Sequence, residues 1–369
     1  MNQRLSSLDI FRGITLFCMI LVNTPGNGDY SYGPLKHAEW DGFTPTDLVF
    51  PSFLFMVGMA MFMSFKKFNF TLSPDLRNKI LKRTALLFLV NYFIFYFPFL
   101  DFSLSHLRIL NVLPRIALSY CIVSFIVLIN KKSSRLWVIN GGILLSYWLI
   151  MYIFGDSGDP FSLSGNAVRK LDLFLFGPDH LYHGDGIAFD PEGLLSTLPA
   201  LATCLFGYQT MEFIDYNKEK PHKILNRLLA WGIFLFFIAQ IWNLAFPINK
   251  KLWTSSFVLN CAGLDLIIIG LLYWWIDIKG KNYTKDFFKV FGMNSILAYG
   301  ISEILIIQLY KIQLSDGDGT LNFPAWTYWN IFQPVFGYSF GSLISAITYV
   351  MVCWIICYFF YKRKIFLKL

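Results

Sequence analysis

Ten apolar runs, most of them about 18–24 residues long, follow one another through this chain of 369 residues: about 8–24, 46–65, 80–98, 109–129, 136–154, 192–211, 224–246, 254–276, 287–309 and 335–361. That is the length an α-helix needs to cross roughly 30 Å of hydrocarbon. Inside a bilayer each backbone N–H and C=O must find a partner within the protein, so such runs have to be helical. A transmembrane barrel would need strand-length segments of alternating polarity, and none is seen. Hydrophobic residues make up 56% of the chain and charged ones 15%, more apolar surface than a soluble domain can cover. The sequence predicts an all-α polytopic membrane protein: one domain over residues 1–369 with about ten transmembrane helices.

Charge sets the orientation. With the N-terminus inside, 23 of the 31 Lys and Arg fall on inner segments, including Lys66, Lys67, Arg77, Lys79, Lys82 and Arg83. The remaining eight fall on outer loops and outer helix ends. Both termini are therefore expected in the cytoplasm. The net charge of +8 follows from this topology and is no sign of nucleic-acid binding. The outer loops carry Asp29, Asp156, Asp159, Asp172, Asp179, Asp185 and Asp190. An acidic outer face suits an amino-bearing ligand, and ordinary loop solvation accounts for it equally well. Those loops hold no Asn-x-Ser/Thr acceptor, which favours a bacterial inner membrane. All six cysteines lie within the spans; Cys353 and Cys357 read as helix packing, and no metal site is expected.

The segment Leu35 to Pro51 holds the best candidate for chemistry. His37, Trp40, Asp41 and Asp47 immediately precede the apolar run from Leu48 to Phe65. A histidine where water meets hydrocarbon titrates near neutral pH and can meet reactants from either side. Thr44-Pro45-Thr46-Asp47 is a good helix start, with Thr44 as N-cap and Asp47 closing a capping box. That gives Asp47 a structural explanation and leaves His37 the stronger catalytic candidate. Pro51, within the run, predicts a kink. Asn23 ends the first span near His37 in sequence.

Residues 155–191 read as a long structureless outer connection. Turn chemistry explains its Gly, Asp and Pro, yet Asp179, His180, Asp190 and Glu192 would make a natural wall for a polar site. Ionisable residues inside spans are costly and usually face a cavity. Asp9 and Arg12 lie three apart on one helical face, which suits a local ion pair or a cofactor role at even odds. Arg108 and Arg115 are seven residues apart and face the same way; Arg115, the deeper, is expected to meet an anion or a buried carboxylate. Asn294-Ser295, beside Gly292, either breaks or lines a helix or bonds a neighbouring one. Asn260, Asp265 and Glu303 are further polar positions in the spans.

Several of these residues also form a pattern. Ser7-Leu8-Asp9-Ile10-Phe11-Arg12-Gly13, Val22-Asn23, His37-Ala38-Glu39-Trp40-Asp41-Gly42 and Asp47-Leu48-Val49-Phe50-Pro51 resemble the heparan-α-glucosaminide N-acetyltransferase family. The likeness continues through Asp179-His180-Leu181-Tyr182, Phe189 to Leu195, Asn249-Lys250-Lys251-Leu252-Trp253-Thr254 and Gly292-Met293-Asn294-Ser295, ending at Lys362 to Phe366. It covers the whole chain in order. It looks like the transmembrane part alone, without the extra N-terminal lumenal region of eukaryotic members, as in a bacterial-type relative.

The resemblance implies that acetyl-CoA is used from the cytosolic side and that the acetyl group ends on the amine of a glucosamine-type sugar across the membrane, with the site facing the periplasm. His37 stands at the family's catalytic histidine position, as base or as acetyl carrier. The chemistry suits either role: an amine attacks a thioester only as free base, and imidazole can take the proton or the acetyl group. Asn23 would donate to the oxyanion, and Asp41 or Asp47 would hold the histidine tautomer. Trp40 would stack on a sugar ring, with Asp47, Asp179, His180, Asp190 and Glu192 on the acceptor side. Arg4, Arg12 or the Lys66/Lys67 cluster would meet the phosphates of coenzyme A, with Asp9, Arg115 and Asn294 nearby. Two rivals stay open. A sugar transporter or permease would also use Asp9, Arg12, Asp265 and Glu303, although no two-half symmetry is seen. An O-acyltransferase of surface glycans would differ only in the acceptor. The number of subunits is open, and a homo-oligomer is compatible with the sequence.

Overall fold

The computed structural model describes residues 5–96, 105–281, 285–317 and 319–367. The chain starts with α1 (Ser6–Asn23), and a 3-10 turn (Pro45–Leu48) leads into α2 (Val49–Lys66). Then come α3 (Pro74–Tyr96), α4 (Val112–Ile129), α5 (Ser133–Phe154), the short α6 (Ala167–Phe176), α7 (Thr197–Tyr216) and α8 (Pro221–Asn243). After α9 (Ser255–Leu272), which continues as a π-helical stretch (Tyr273–Ile278), follow α10 (Lys285–Met293) and α11 (Ser295–Lys311). An antiparallel hairpin, β1 (Gln313–Asp316) with β2 (Gly319–Asn322), pairs Leu314 with Leu321. It precedes the short α12 (Phe323–Thr327) and α13 (Gln333–Phe336) and the long α14 (Tyr338–Lys362).

The protein is thus all-α and polytopic, as the apolar runs require. Among the described residues seven helices are long and apolar enough to cross a membrane: α1, Pro45–Lys66, α4, α5, α8, Ser255–Ile278 and α14. The pair α10 and α11, bent by 83°, makes an eighth. The count differs from the expected ten at α3 and α7, which occupy the runs expected at 80–98 and 192–211. Both are helical, but α3 opens with Arg77, Lys79, Lys82 and Arg83, and α7 carries Gln209, Thr210 and Glu212. Helix α7 is buried along almost its whole length, so protein neighbours, and not lipid, surround those polar groups.

Small residues set how closely the central helices pack. A Cβ on Gly58 of α2 would lie 1.9 Å from the Cys204 carbonyl oxygen of α7, and one on Gly207 would lie 1.8 Å from that of Phe55. The backbones touch where lipid offers no hydrophobic drive for association and close contact must supply it. Helices α1 and α10 meet in the same way, Gly13 against the Phe288 carbonyl and Gly292 against that of Asp9. Between α2 and α9, Ser52 Oγ donates to Asp265 Oδ1 at 2.5 Å.

The helix pair breaks at Asn294, whose side chain ties down the C-terminal tail. Nδ2 donates to the Ile365 carbonyl (2.8 Å) and Oδ1 accepts from the Leu367 N–H (3.0 Å). Pro51 makes no kink. It sits in the first turn of α2, where its missing N–H would have no helical partner in any case. Residues 155–191 are not structureless either: Asn166 Oδ1 accepts from the Arg169 N–H and starts α6, which stops at Gly177 with φ of 74°.

Connections alternate between two faces. On one, Gly42 N donates to the Ile248 carbonyl (2.8 Å), Trp40 Nε1 to that of Phe161 (3.0 Å) and Gly26 N to that of Ser342 (3.2 Å). On the other, Lys66 pairs with Asp215 (2.6 Å) and the Ser7 N–H meets Asp277 (3.2 Å). The first described residues and the C-terminal tail lie on this second face, the one rich in lysine and arginine.

Candidate active site

The 3-10 turn at Pro45–Leu48 points Asp47 inward, and its two oxygens do different work. Oδ2 accepts from Thr44 N (3.0 Å), Thr44 Oγ1 (3.1 Å) and Ala38 N (3.2 Å), closing the capping box and fastening the preceding loop. Oδ1 lies 2.7 Å from His37 Nδ1. An ionised carboxylate only accepts, so Nδ1 carries the proton and the lone pair is left on Nε2. Asp47 is buried to 1% of its side chain, whereas His37 keeps 45% of its own exposed. The capping role therefore does not compete with a role beside His37, as the sequence reading supposed. Asp47 faces the histidine and not an acceptor.

Asp41, the other expected partner of His37, instead accepts from Asn249 Nδ2 (3.1 Å). That bond belongs to a tightly knit loop between α8 and α9. Asn249 N donates to Thr254 Oγ1 (3.0 Å), Leu252 N donates to Asn249 Oδ1 (2.8 Å), and Tyr147 Oη donates to the Leu252 carbonyl (2.5 Å). Trp253 holds a left-handed backbone, φ 53°, with the Arg115 guanidinium over its ring at 4.9 Å. The loop presents Lys250, whose Nζ lies 2.9 Å from His37 Nδ1, 3.3 Å from Nε2 and 3.7 Å from Asp47 Oδ1. Burial holds Lys250 below the usual lysine range, against the pull of Asp47 and Glu192.

His37 and Lys250 stand at one end of a cavity of about 670 Å³, toward the face of Gly42 and Trp40, within the roughly 300–1,000 Å³ range of small-molecule sites. Asn23, Arg108, Tyr182 and Glu192 line the same end. The walls are mostly apolar, from Leu16, Met19, Phe53, Met56 and Val57, and the inner part is lined by Arg12, Arg83, Met293 and Leu367. Arg12 and Asn23 both belong to α1, and at 1.5 Å per residue they mark a depth of about 16 Å. The guanidinium of Arg83 lies over the Tyr120 ring at 4.5 Å, and its buried Nε has no hydrogen-bond partner. Arg12 is 3.7 Å from Asp9 and donates to the Gly292 carbonyl at 3.4 Å.

Other expected residues lie elsewhere. Arg115 is fully buried and off the cavity, bonded to the Gly193 carbonyl (3.2 Å) and to Ser196 Oγ, which places it behind the outer loops and not at the inner face. Asn294 holds the tail and does not line the cavity. Trp40 is fixed to Phe161, edge-on to Phe189 at 5.7 Å, with Lys251 over its ring at 6.0 Å, so it packs the loops together and does not line the cavity. His180 Nδ1 bonds the Leu107 carbonyl (2.8 Å), and Asp179 is exposed outside the cavity. Asp190 sits beneath Arg108, bound through Nε (2.8 Å) and Nη2 (2.7 Å), while Glu192 takes Nη2 at 2.6 Å and alone of these acids reaches the cavity. Burial disfavours the Arg108 charge, but the two carboxylates outweigh it and hold the group above its ordinary range. Arg4 lies outside the described residues. Lys250 and Arg83 were missed as site residues. Lys250 stood within the segment Asn249–Thr254 of the family pattern and, with Lys251, among the eight Lys and Arg expected off the inner segments, but neither signal gave it a role.

The fold and this cavity define a polytopic integral membrane protein with a His–Asp–Lys cluster at one end of a chamber and arginines at the other. The chain is a relative of the heparan-α-glucosaminide N-acetyltransferases: residues 4–174 match the family described as heparan-alpha-glucosaminide N-acetyltransferase, catalytic. It is 31% identical to the Homo sapiens heparan-alpha-glucosaminide N-acetyltransferase over 349 residues, 80% of this chain and 52% of the relative. With the Mus musculus protein of that name it shares 29% over 421 residues, all of this chain and 61% of the relative. The chain thus spans between about half and three-fifths of the length of the curated relatives it matches.

Proposed function

We propose that this protein is a transmembrane N-acetyltransferase, taking an acetyl group from acetyl-CoA on the inner side and giving it to the amine of a glucosamine-type sugar on the outer side. The observation that carries this reading is the single cavity lined both by His37, Lys250 and Glu192 and by Arg12 and Arg83. Its residues fit the donor: two guanidiniums suit phosphates, and a narrow apolar wall suits a long thin thioester arm. The sugar would enter from the His37 end, where Glu192 would accept a hydrogen bond from its free-base amine.

The neutral Nε2 of His37 takes the proton as the amine nitrogen attacks the acetyl carbonyl; the C–S bond then breaks and the thiolate leaves. Asp47 stabilises the imidazolium that forms, and Asn23 donates to the oxyanion. In a two-step path Nε2 itself would attack first and carry the acetyl group.

Reconstitution in liposomes tests the reading, with labelled acetyl-CoA on one face and glucosamine on the other. Label should appear in N-acetylglucosamine with wild type and not with His37→Ala. Unmodified glucosamine crossing without need of acetyl-CoA would sink the proposal in favour of a transporter. Rapid quench with acetyl-CoA alone decides between one step and two, through the presence or absence of acetylated His37.

A further inference from the structure

Lys250 lies 213 positions from His37 in sequence, yet its ammonium sits over the imidazole at 2.9 and 3.3 Å from the two ring nitrogens. Because Nδ1 gives its proton to Asp47, the three N–H groups of Lys250 are left to face Asp47 Oδ1 at 3.7 Å, Nε2 at 3.3 Å and the cavity beyond. Any carbonyl carbon brought to the reacting side of Nε2 places its oxygen within reach of that ammonium. A loose surface lysine would not be held this way. The Asn249–Thr254 loop is bonded at Asn249, Leu252 and Thr254, anchored by Asp41 and Tyr147, and keeps a left-handed Trp253 against Arg115. Backbone in a sparsely populated conformation persists where its surroundings over-determine it, and such positions cluster at functional sites.

We infer that Lys250 is a further catalytic residue of the acetyl transfer, its ammonium donating a hydrogen bond, beside that of Asn23, to the oxyanion that forms on the acetyl carbonyl. This rests on the acetyltransferase reading. As the amine nitrogen bonds the carbonyl carbon, the C=O pair moves to oxygen and Lys250 Nζ–H holds it. When the C–S bond breaks the pair returns, the thiolate takes the sulfur electrons, and Lys250 ends with the proton it began with. His37, Asp47, Glu192 and Cys261 are the titratable groups that face Lys250. Burial lowers the Lys250 pKa, which brings the loss of its charge toward the alkaline limb of the working range.

The test is steady-state kinetics of the full chain in liposomes with acetyl-CoA and glucosamine, over pH, for wild type, Lys250→Met, Lys250→Arg and His37→Ala. Loss of one oxyanion donor should lower kcat of Lys250→Met by about 10²–10³-fold, with both KM values within about threefold. Lys250→Arg, which stays charged, should keep part of kcat and move the alkaline limb up by about one pH unit or more. A Lys250→Met kcat within about threefold of wild type, or a loss confined to KM, overturns the role while leaving the acetyltransferase reading intact. If Lys250→Met fails to fold, the Lys250→Arg profile decides, and an unmoved alkaline limb overturns the role. A folded wild type that makes no N-acetylglucosamine overturns both.

Discussion

At the scale of single residues the site turns on one carboxylate that does two jobs. Asp47 caps its helix with one oxygen and holds His37 with the other. Its capping box was legible in the sequence, where the role beside His37 stood open between Asp41 and Asp47. Asp41, four residues after His37, was the other candidate and instead holds Asn249. Asp47→Asn keeps the shape of the side chain but removes the charge that fixes the Nδ1–H tautomer. Its kcat for glucosamine acetylation should fall by about 10³–10⁴-fold, measured beside the melting temperature to separate the cap from the chemistry. Asp172 makes a prediction of the opposite kind. It is fully buried, its Oδ1 accepts from the Leu194 N–H, and burial pushes its carboxyl up to about 7. A carboxyl raised above its unfolded value gives stability that is present at low pH and lost as pH rises through the folded pKa. Wild type should therefore lose melting temperature relative to Asp172→Asn between about pH 4 and pH 8, as read by thermal scans in detergent. A constant difference would contradict this.

At the scale of elements, the apolar runs were legible because hydrocarbon leaves helix as the only solution for a run of that length. The limits of that reading are physical too. Whether a helix faces lipid or protein is a tertiary fact, so α3 and α7 were placed correctly as helices but not as spans apolar in their own right. Helix α6 is only ten residues, and the β1–β2 hairpin is built from four-residue strands, too short for periodicity to stand out. The glycine contacts give the clearest test. Gly58→Ala would drive a methyl group to 1.9 Å from the Cys204 carbonyl, so α2 and α7 must part. Such overpacking costs about 1–3 kcal/mol and should lower the detergent melting temperature. A change such as Gly142→Ala, at a glycine that faces no neighbouring atom, should leave it unmoved.

At the scale of the whole molecule, the site joins segments that the sequence keeps far apart: the loop after α1, the end of α3's connection at Arg108, and the loop before α9. The first stood out as a group, because His37, Asp41 and Asp47 lie within eleven residues, whereas Arg108 and Lys250 were noticed singly and not as its partners. The orientation came from charge alone and is open to direct test. Tyr32→Cys should react with an impermeant maleimide from the outer side of sealed vesicles, and Lys131→Cys only after permeabilisation; the reverse pattern would turn the molecule over. One feature of the chamber bears on the membrane itself. A bilayer that stores energy as an ion gradient cannot tolerate a polar passage through which protons or sodium leak. Here four fixed cations, Arg12, Arg83, Arg108 and Lys250, face two acids, Glu192 and Glu303, along an otherwise oily bore. Three of the four are paired with carboxylates, Arg12 with Asp9, Arg108 with Asp190 and Glu192, and Lys250 with Asp47, yet their N–H groups on the wall still oppose a passing cation, as positive side chains do in water channels. Charges suited to an anionic donor would thus also resist the leak of cations through the chamber.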